Sequence, residues 1–250
     1  MKIIISPAKK MKLETYLAGT TSPSLLAYSN MLVDFLKTLS IDEIANSFKI
    51  KGKLLNETVD LINNLDLSKN LSPAILSYDG IQYKYMGVNV FTESQFDYIN
   101  SHLYILSGLY GVLKPFDEIT RYRLEMQAEF KGKQISDLYS FWGDKLYKEV
   151  FKNDDTVLNL ASLEYSKTIK PYIKDNQRFI DVFFYEKDKD KLIEKGVYAK
   201  MMRGTMIKWL SENNIDDIEK IKGFSESNYI YSNEYSTNNK LVFIREKENN

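Results

Sequence analysis

The sequence predicts a mixed α/β fold, a central sheet flanked by helices, in one domain over 1–250. Two patterns predict it. Short apolar runs of strand length recur between polar loops, as at Lys2-Ile3-Ile4-Ile5, Leu103 to Leu106, Thr156 to Leu160 and Arg178 to Tyr185. Between them lie segments whose apolar residues repeat at helical spacing. A third observation bounds the domain. The chain has 250 residues, 44% hydrophobic and 27% charged, with no linker, repeat or low-complexity stretch.

The elements follow in order. Lys2 to Ile5 reads as a buried strand ended by Ser6-Pro7, and residues 13 to 21 as a loop. Ser22-Pro23 opens a helix with proline in its first turn and an apolar face of Leu25, Leu26, Leu32, Phe35, Leu36 and Leu39. Ser40 and Glu43 form a capping-box pattern, so a second helix starts there and runs to about Ser47. A third helical pattern covers Leu54 to Asn64. The hairpin at about 41–64 carries Lys49, Lys51, Gly52 and Lys53 at its turn, and it is helix-hairpin-helix-like. Such turns offer backbone amides and lysines to a DNA phosphate. A plain helical hairpin with solvated lysines reads equally well. Residues 71 to 91 mix short strands and turns around Asp79-Gly80. Thr92 and Gln95 cap a helix to about Ser101, and a central strand follows at 103–106. Ser107 to Phe130 reads as loop, Ser136 to Phe151 as one helix, and Thr156 to Leu160 as a strand. Ser162 then opens a helix towards Thr168. Arg178 to Tyr185 is a strand, 186–195 a charged loop or short helix, and Tyr198 to Asn213 a helix. Asn228 to Tyr235 and Lys240 to Arg245 form a terminal strand pair, and a frayed tail is expected over 246–250.

Composition excludes several chemistries. Lys plus Arg equals Asp plus Glu at 34 each, so any nucleic-acid binding needs a local basic face. With no Cys, disulfides, zinc knuckles and thiol catalysis are ruled out. The one His, His102, cannot build an imidazole cluster, and it makes a tight iron site unfavourable. No metal and no cofactor is expected, although carboxylate sites for Mg2+ stay open. No apolar run reaches membrane-spanning length, and the apolar stretch at Met1 to Ile5 is too short for a signal peptide. A cytoplasmic protein is expected. Tyr is frequent at 18, which suits cleft walls or simply an AT-rich coding sequence.

Several polar clusters sit where strands or helices end. Lys9 follows the first strand, where it can meet a phosphate or, if desolvated, act as a nucleophile; otherwise it is one lysine of a solvated basic run. Ser107, Gly108, Tyr110 and Gly111 form a glycine turn suited to an anion or to tight packing. It lacks the Gly-Lys-Ser/Thr of a phosphate loop. Arg121, Tyr122, Arg123 and Glu125 offer a guanidinium fork or an internal ion pair. Trp142 and Asp144 suggest a stacking ring and an acid/base group, with a core aromatic as the plain reading. Asn159, Ser162, Glu164 and Tyr165 surround a strand end and a helix start that favours anions, with Lys167 and Lys170 beyond. Lys200 and Arg203 share a helix face beside Gly204, which suggests close packing.

Taken in one order, Ser6 to Lys9, Leu106 to Asp117, Tyr122 to Met126, Phe141 to Asp144, Asn159 to Tyr165 with Lys170-Pro171, and Tyr198 to Met206 resemble the YaaA family of bacterial peroxide stress proteins. The resemblance runs from Ile3 to Phe243. It implies a cytoplasmic protein that limits oxidative damage linked to intracellular iron. It also implies binding of double-stranded DNA through a helix-hairpin-helix and a positively charged cleft. No settled reaction comes with it.

On this reading Lys49, Lys51, Gly52, Lys53, Arg123, Lys170, Lys200 and Arg203 contact DNA. Ser107, Gly108, Tyr110, Gly111, Tyr122, Glu125, Trp142, Asn159, Ser162 and Tyr165 line the cleft. Lys9, Asp144 and Glu164 are catalytic only if the protein is an enzyme. That alternative is an enzyme acting on a nucleobase or nucleotide in the same cleft. The expected partners are double-stranded DNA and a nucleotide-like small molecule, with no membrane and a monomeric state. Any effect on iron is expected to be indirect.

Overall fold

A computed structural model describes residues 1–14, 17–189 and 191–246. The loop expected at 13–21 lies partly outside them, as does the tail beyond Glu246.

Eight strands of the described residues make the central sheet. They are β1 (Lys2–Ile5), β2 (Leu103–Ser107), β3 (Gly111–Leu113), β4 (Thr156–Leu160), β5 (Arg178–Asp188), β6 (Lys191–Ile193), β7 (Ile230–Tyr231) and β8 (Lys240–Glu246). Along the sheet the order is β7-β8-β5-β4-β1-β2-β3, with β6 folded back on β5. The pairs β2–β1, β1–β4, β4–β5 and β5–β8 are parallel. Ile3, Ile4 and Ile5 are completely buried, as a parallel strand covered on both faces demands. One contiguous apolar core embeds the sheet.

This order creates a switch point. From β1 the chain crosses to β2 on one side, and from β4 it crosses to β5 on the other. Loops leaving two adjacent parallel strands in opposite directions open a crevice at their carboxyl ends. Ser6–Lys9 and Ala161–Tyr165 are those loops.

Both capping boxes form. Ser40 and Glu43 start the helix Ile41–Phe48, and Thr92 and Gln95 start Glu93–His102. Ile41–Phe48 and Lys53–Asn63 are joined by the turn 49–52, where Lys49 is left-handed at φ 53°.

Several expectations need correction. The helix after Pro23 begins only at Leu26, behind a turn, and ends at Lys37. The segment read as loop over 107–130 contains β3, which folds back on β2 as a hairpin. The helix expected over 136–151 is two, Leu138–Trp142 and Lys145–Val150. Gly143 lies between them at φ 49° and ψ −128°, outside helical space. The charged segment 186–195 is neither loop nor helix at its start. There β5 runs on to Asp188 and β6 pairs back against it. Within 71–91, Ile81–Met86 is a helix. The helix opened at Ser162 is the single turn Leu163–Ser166, too short for a useful dipole.

Candidate functional site

A cleft of about 300 Å3 lies at the switch point. Four stretches of chain build it: the β1 loop, residues 79–83, residues 122–125, and the β4 loop. Lys200 and Arg203 of the long helix Gly196–Glu212 complete the wall. Lys9, Lys10, Arg123, Lys200 and Arg203 face Asp79, Glu125 and Glu164 there. A larger groove of about 1140 Å3 adjoins it and shares Lys9, Lys10, Asp79, Tyr122 and Arg123. That groove runs on to Arg121 and to Leu54, Glu57 and Leu61 of the helix Lys53–Asn63.

Two junctions hold the loops together. Ser6 Oγ accepts the Ser162 N–H at 2.8 Å and lies 3.1 Å from Ser162 Oγ, which ties the β1 and β4 loops to each other. Ser162 therefore spends its hydroxyl on Ser6 and makes no side-chain cap to its own helix. The second junction is Gly204. A Cβ there would run into the Gln82 carbonyl and come within 2.9 Å of Met86 N. Only glycine lets the long helix press on Ile81–Met86, and that contact sets Arg203 beside Gln82.

Glu125 organises the cations. Its Oε2 accepts from Lys9 Nζ at 3.0 Å and its Oε1 from Arg123 Nη2 at 2.7 Å. Arg203 donates Nη2 to Glu194 Oε1 at 3.4 Å. Burial pulls the Arg203 guanidinium below its ordinary value, though it stays charged at neutral pH. Among the described residues, Gln82 Nε2, Arg123 Nε and Arg203 Nε are buried without a hydrogen-bond partner. The side chains that carry all three line this one cleft. Burial raises the Glu164 carboxyl, and the Glu125 charge adds to it; the Gln127 N–H and Lys9 partly offset the rise.

Tyrosines form the apolar side. Tyr83 donates its hydroxyl to the Ser6 carbonyl at 2.9 Å. The Tyr122 hydroxyl lies 2.9 Å from that of Tyr78 and 2.6 Å from Ser107 Oγ. Burial pushes Tyr122 up to about 12, so its hydroxyl stays protonated. Tyr165 is also raised, chiefly by burial.

The structure brings together Lys9, Tyr122, Arg123, Glu125, Ser162, Glu164, Tyr165, Lys200 and Arg203. It places the other expected residues elsewhere. Ser107 and Tyr110 are completely buried behind the wall, and Ser107 Oγ accepts the Tyr110 N–H at 2.9 Å. Gly108 is a packing position, because a Cβ would strike the Leu124 carbonyl. Gly111 packs against the Trp142 ring. Trp142 is itself in the core, with Nε1 donating to the Gly108 carbonyl at 3.0 Å, so it offers no stacking face. Asp144 pairs with Lys148 at 2.7 Å, outside the cleft. Asn159 and Lys170 both bind Asp181, at 2.7 and 2.8 Å. Lys49, Lys51, Gly52 and Lys53 sit at the exposed hairpin turn, apart from the cleft wall. Lys9 is 62% exposed and ion-paired, which suits an anion contact better than a nucleophilic amine. His102 lies at the other end of β1, with Nδ1 2.8 Å from the Met1 carbonyl.

A family model described as peroxide stress protein YaaA matches residues 1–235. The chain belongs to the YaaA family of peroxide stress proteins. It is 43% identical over 251 residues to a UPF0246 protein of Lachnoclostridium phytofermentans, covering 100% of this chain and 98% of the relative. Identity is 44% to UPF0246 proteins of Desulfitobacterium hafniense, over 98% of both chains, and of Lactiplantibacillus plantarum, over 98% and 99%. The similarity therefore spans every stretch that builds the cleft of this YaaA-family chain.

Sequence reasoning missed Gln82 and its neighbours Asp79 to Tyr83. Their segment looked like mixed turns, and its helix is short. The one usable signal was Gly204, a glycine inside a helix that requires a close partner. Among the described residues, no helix is long and apolar enough to cross a membrane. Among the same described residues, no group of three or more His, Asp or Glu side chains is placed to hold a metal ion.

Proposed function

We propose that this YaaA-family protein acts in the cytoplasm as a monomer that binds double-stranded DNA and so limits iron-dependent peroxide damage. The observation that supports it is the continuity of the cationic cleft with the groove beside Lys53–Asn63 through Lys9, Lys10 and Arg123. At the hairpin, Lys49, Lys51, Gly52 and Lys53 are exposed where a helix-hairpin-helix would meet a phosphate backbone. The chain is neutral overall, so this local strip must supply the attraction.

Lysines that neutralise phosphates release the cations condensed on them. Ferrous ions held at the backbone are among the cations so displaced. Protection then needs no iron site in the protein. Fluorescence anisotropy with a labelled duplex tests this reading. Affinity should fall steeply between low and physiological salt. Binding that ignores salt, or no binding at low salt, overturns it.

One observation favours a second reading, an enzyme acting on a nucleobase or nucleotide. Glu164, with its raised carboxyl, lines the same cleft as Arg123 and Arg203. It would serve as the acid/base group. A Glu164→Gln variant with full DNA binding and full peroxide protection counts against it.

A further inference from the structure

We propose that this cleft is a binding site for one phosphate monoester, clamped between Arg123 and Arg203 with Gln82 as a third donor. This deepens the second reading by naming what the cleft holds, and it stands apart from the hairpin's grip on a duplex.

Charge comes first. Five cationic side chains meet three carboxylates at this wall. Glu125 is already engaged by Lys9 and Arg123. Glu164 is the carboxyl that burial pushes towards its neutral form. The surplus is about two positive charges, which matches a dianion better than a monoanion.

Donors come second. Gln82 is buried, and its Nε2 has no partner among the described residues; nor do the Nε atoms of Arg123 and Arg203. All three side chains line one cavity, these N–H groups are covered from solvent, and such groups are costly to leave unpaired. What they lack is an acceptor. A phosphate presents three equivalent acceptor oxygens, and a guanidinium is shaped to meet two of them.

Shape comes third. A cavity of about 300 Å3 sits at the small end of ligand sites. It fits a small organic phosphate. Tyr83, Tyr122, Tyr165 and Leu124 supply an apolar wall for the organic part. The position at the carboxyl ends of β1 and β4 is where open α/β sheets take their ligands. A monoester has two sources, a free metabolite or the terminal phosphate of a broken DNA strand.

Isothermal titration of the full chain with a nucleoside 5′-monophosphate and with its nucleoside tests the site. The monophosphate should bind at least tenfold more tightly. Arg203→Gln should weaken it at least tenfold, and Gln82→Leu several-fold, while the nucleoside is unaffected by either. Lys200→Ala serves should Arg203→Gln fail to fold, with a loss of several-fold. Equal affinity for both ligands, no monophosphate binding at millimolar concentration, or unchanged affinity in the variants overturns the proposal. Nicked duplexes with and without a 5′-phosphate then separate the sources. A preference for the phosphorylated nick, lost in Arg203→Gln, assigns the strand end. Monophosphate binding without that preference assigns a free metabolite. A Lys49, Lys51 and Lys53→Glu variant should bind the duplex more weakly and keep the monophosphate, so the two readings fail separately. Binding without turnover keeps the site and removes the enzyme.

Discussion

Glu125 and Glu164 are two carboxyls on one wall with different surroundings. Glu125 is ion-paired to two cations, Lys9 and Arg123, with its side chain 14% exposed. Removing its charge leaves the part-buried Arg123 without its ion partner. Glu125→Gln should therefore cost roughly 2 to 3 kcal/mol, somewhat less than a fully buried pair, as read by chemical denaturation. Glu164 is the opposite case. Its carboxyl is raised in the folded state, chiefly by burial, so the fold binds its proton more tightly than the unfolded chain does. The stability tied to that proton is present below the unfolded value and is lost as pH rises through the folded one. Glu164→Gln should then be more stable than the parent at neutral pH, with the gain shrinking towards acid. Denaturation midpoints across pH check it, and a gain that grows towards acid contradicts it. These two roles were only half legible. Arg123 and Glu125, two residues apart, announce an ion pair by type. That Lys9 joins them from 116 positions away does not follow from local pattern.

At the scale of elements, glycines and caps decide how the pieces meet. Gly204 lets the long helix lie on Ile81–Met86 with no Cβ between them. Gly204→Ala should push the two apart and cost roughly 1 to 3 kcal/mol by overpacking. It should also weaken any ligand bound through Arg203 and Gln82. Thermal unfolding and the titration described above measure both effects. The Ser40 cap is local and separate from the cleft. Ser40→Ala should cost about 1 kcal/mol and leave ligand binding unchanged. Caps were readable because their signal lies within four residues. The break at Gly143 and the hairpin of β2 with β3 were not. Apolar spacing continues across Gly143, and β3 is only three residues long.

For the whole molecule, a balance of 34 basic and 34 acidic residues means that no global field draws in a polyanion. Duplex affinity should then depend on few contacts. Reversing Lys49, Lys51 and Lys53 to Glu should lower the slope of log affinity against log salt by up to about 3. A slope that stays unchanged moves the DNA contact away from the hairpin.

The linear chain by itself determined the mixed α/β class, the main strands, both capping boxes and the family. Those signals are short-range or lie in the order of motifs, so they survive without coordinates. Tertiary structure decided which polar residues share a cavity. Lys9, Arg123, Glu164 and Arg203 come from four distant stretches, and only the strand order brings them to one sheet edge. It also sent Trp142, Ser107 and Tyr110 into the core, because burial depends on what packs against a side chain and not on the motif that contains it.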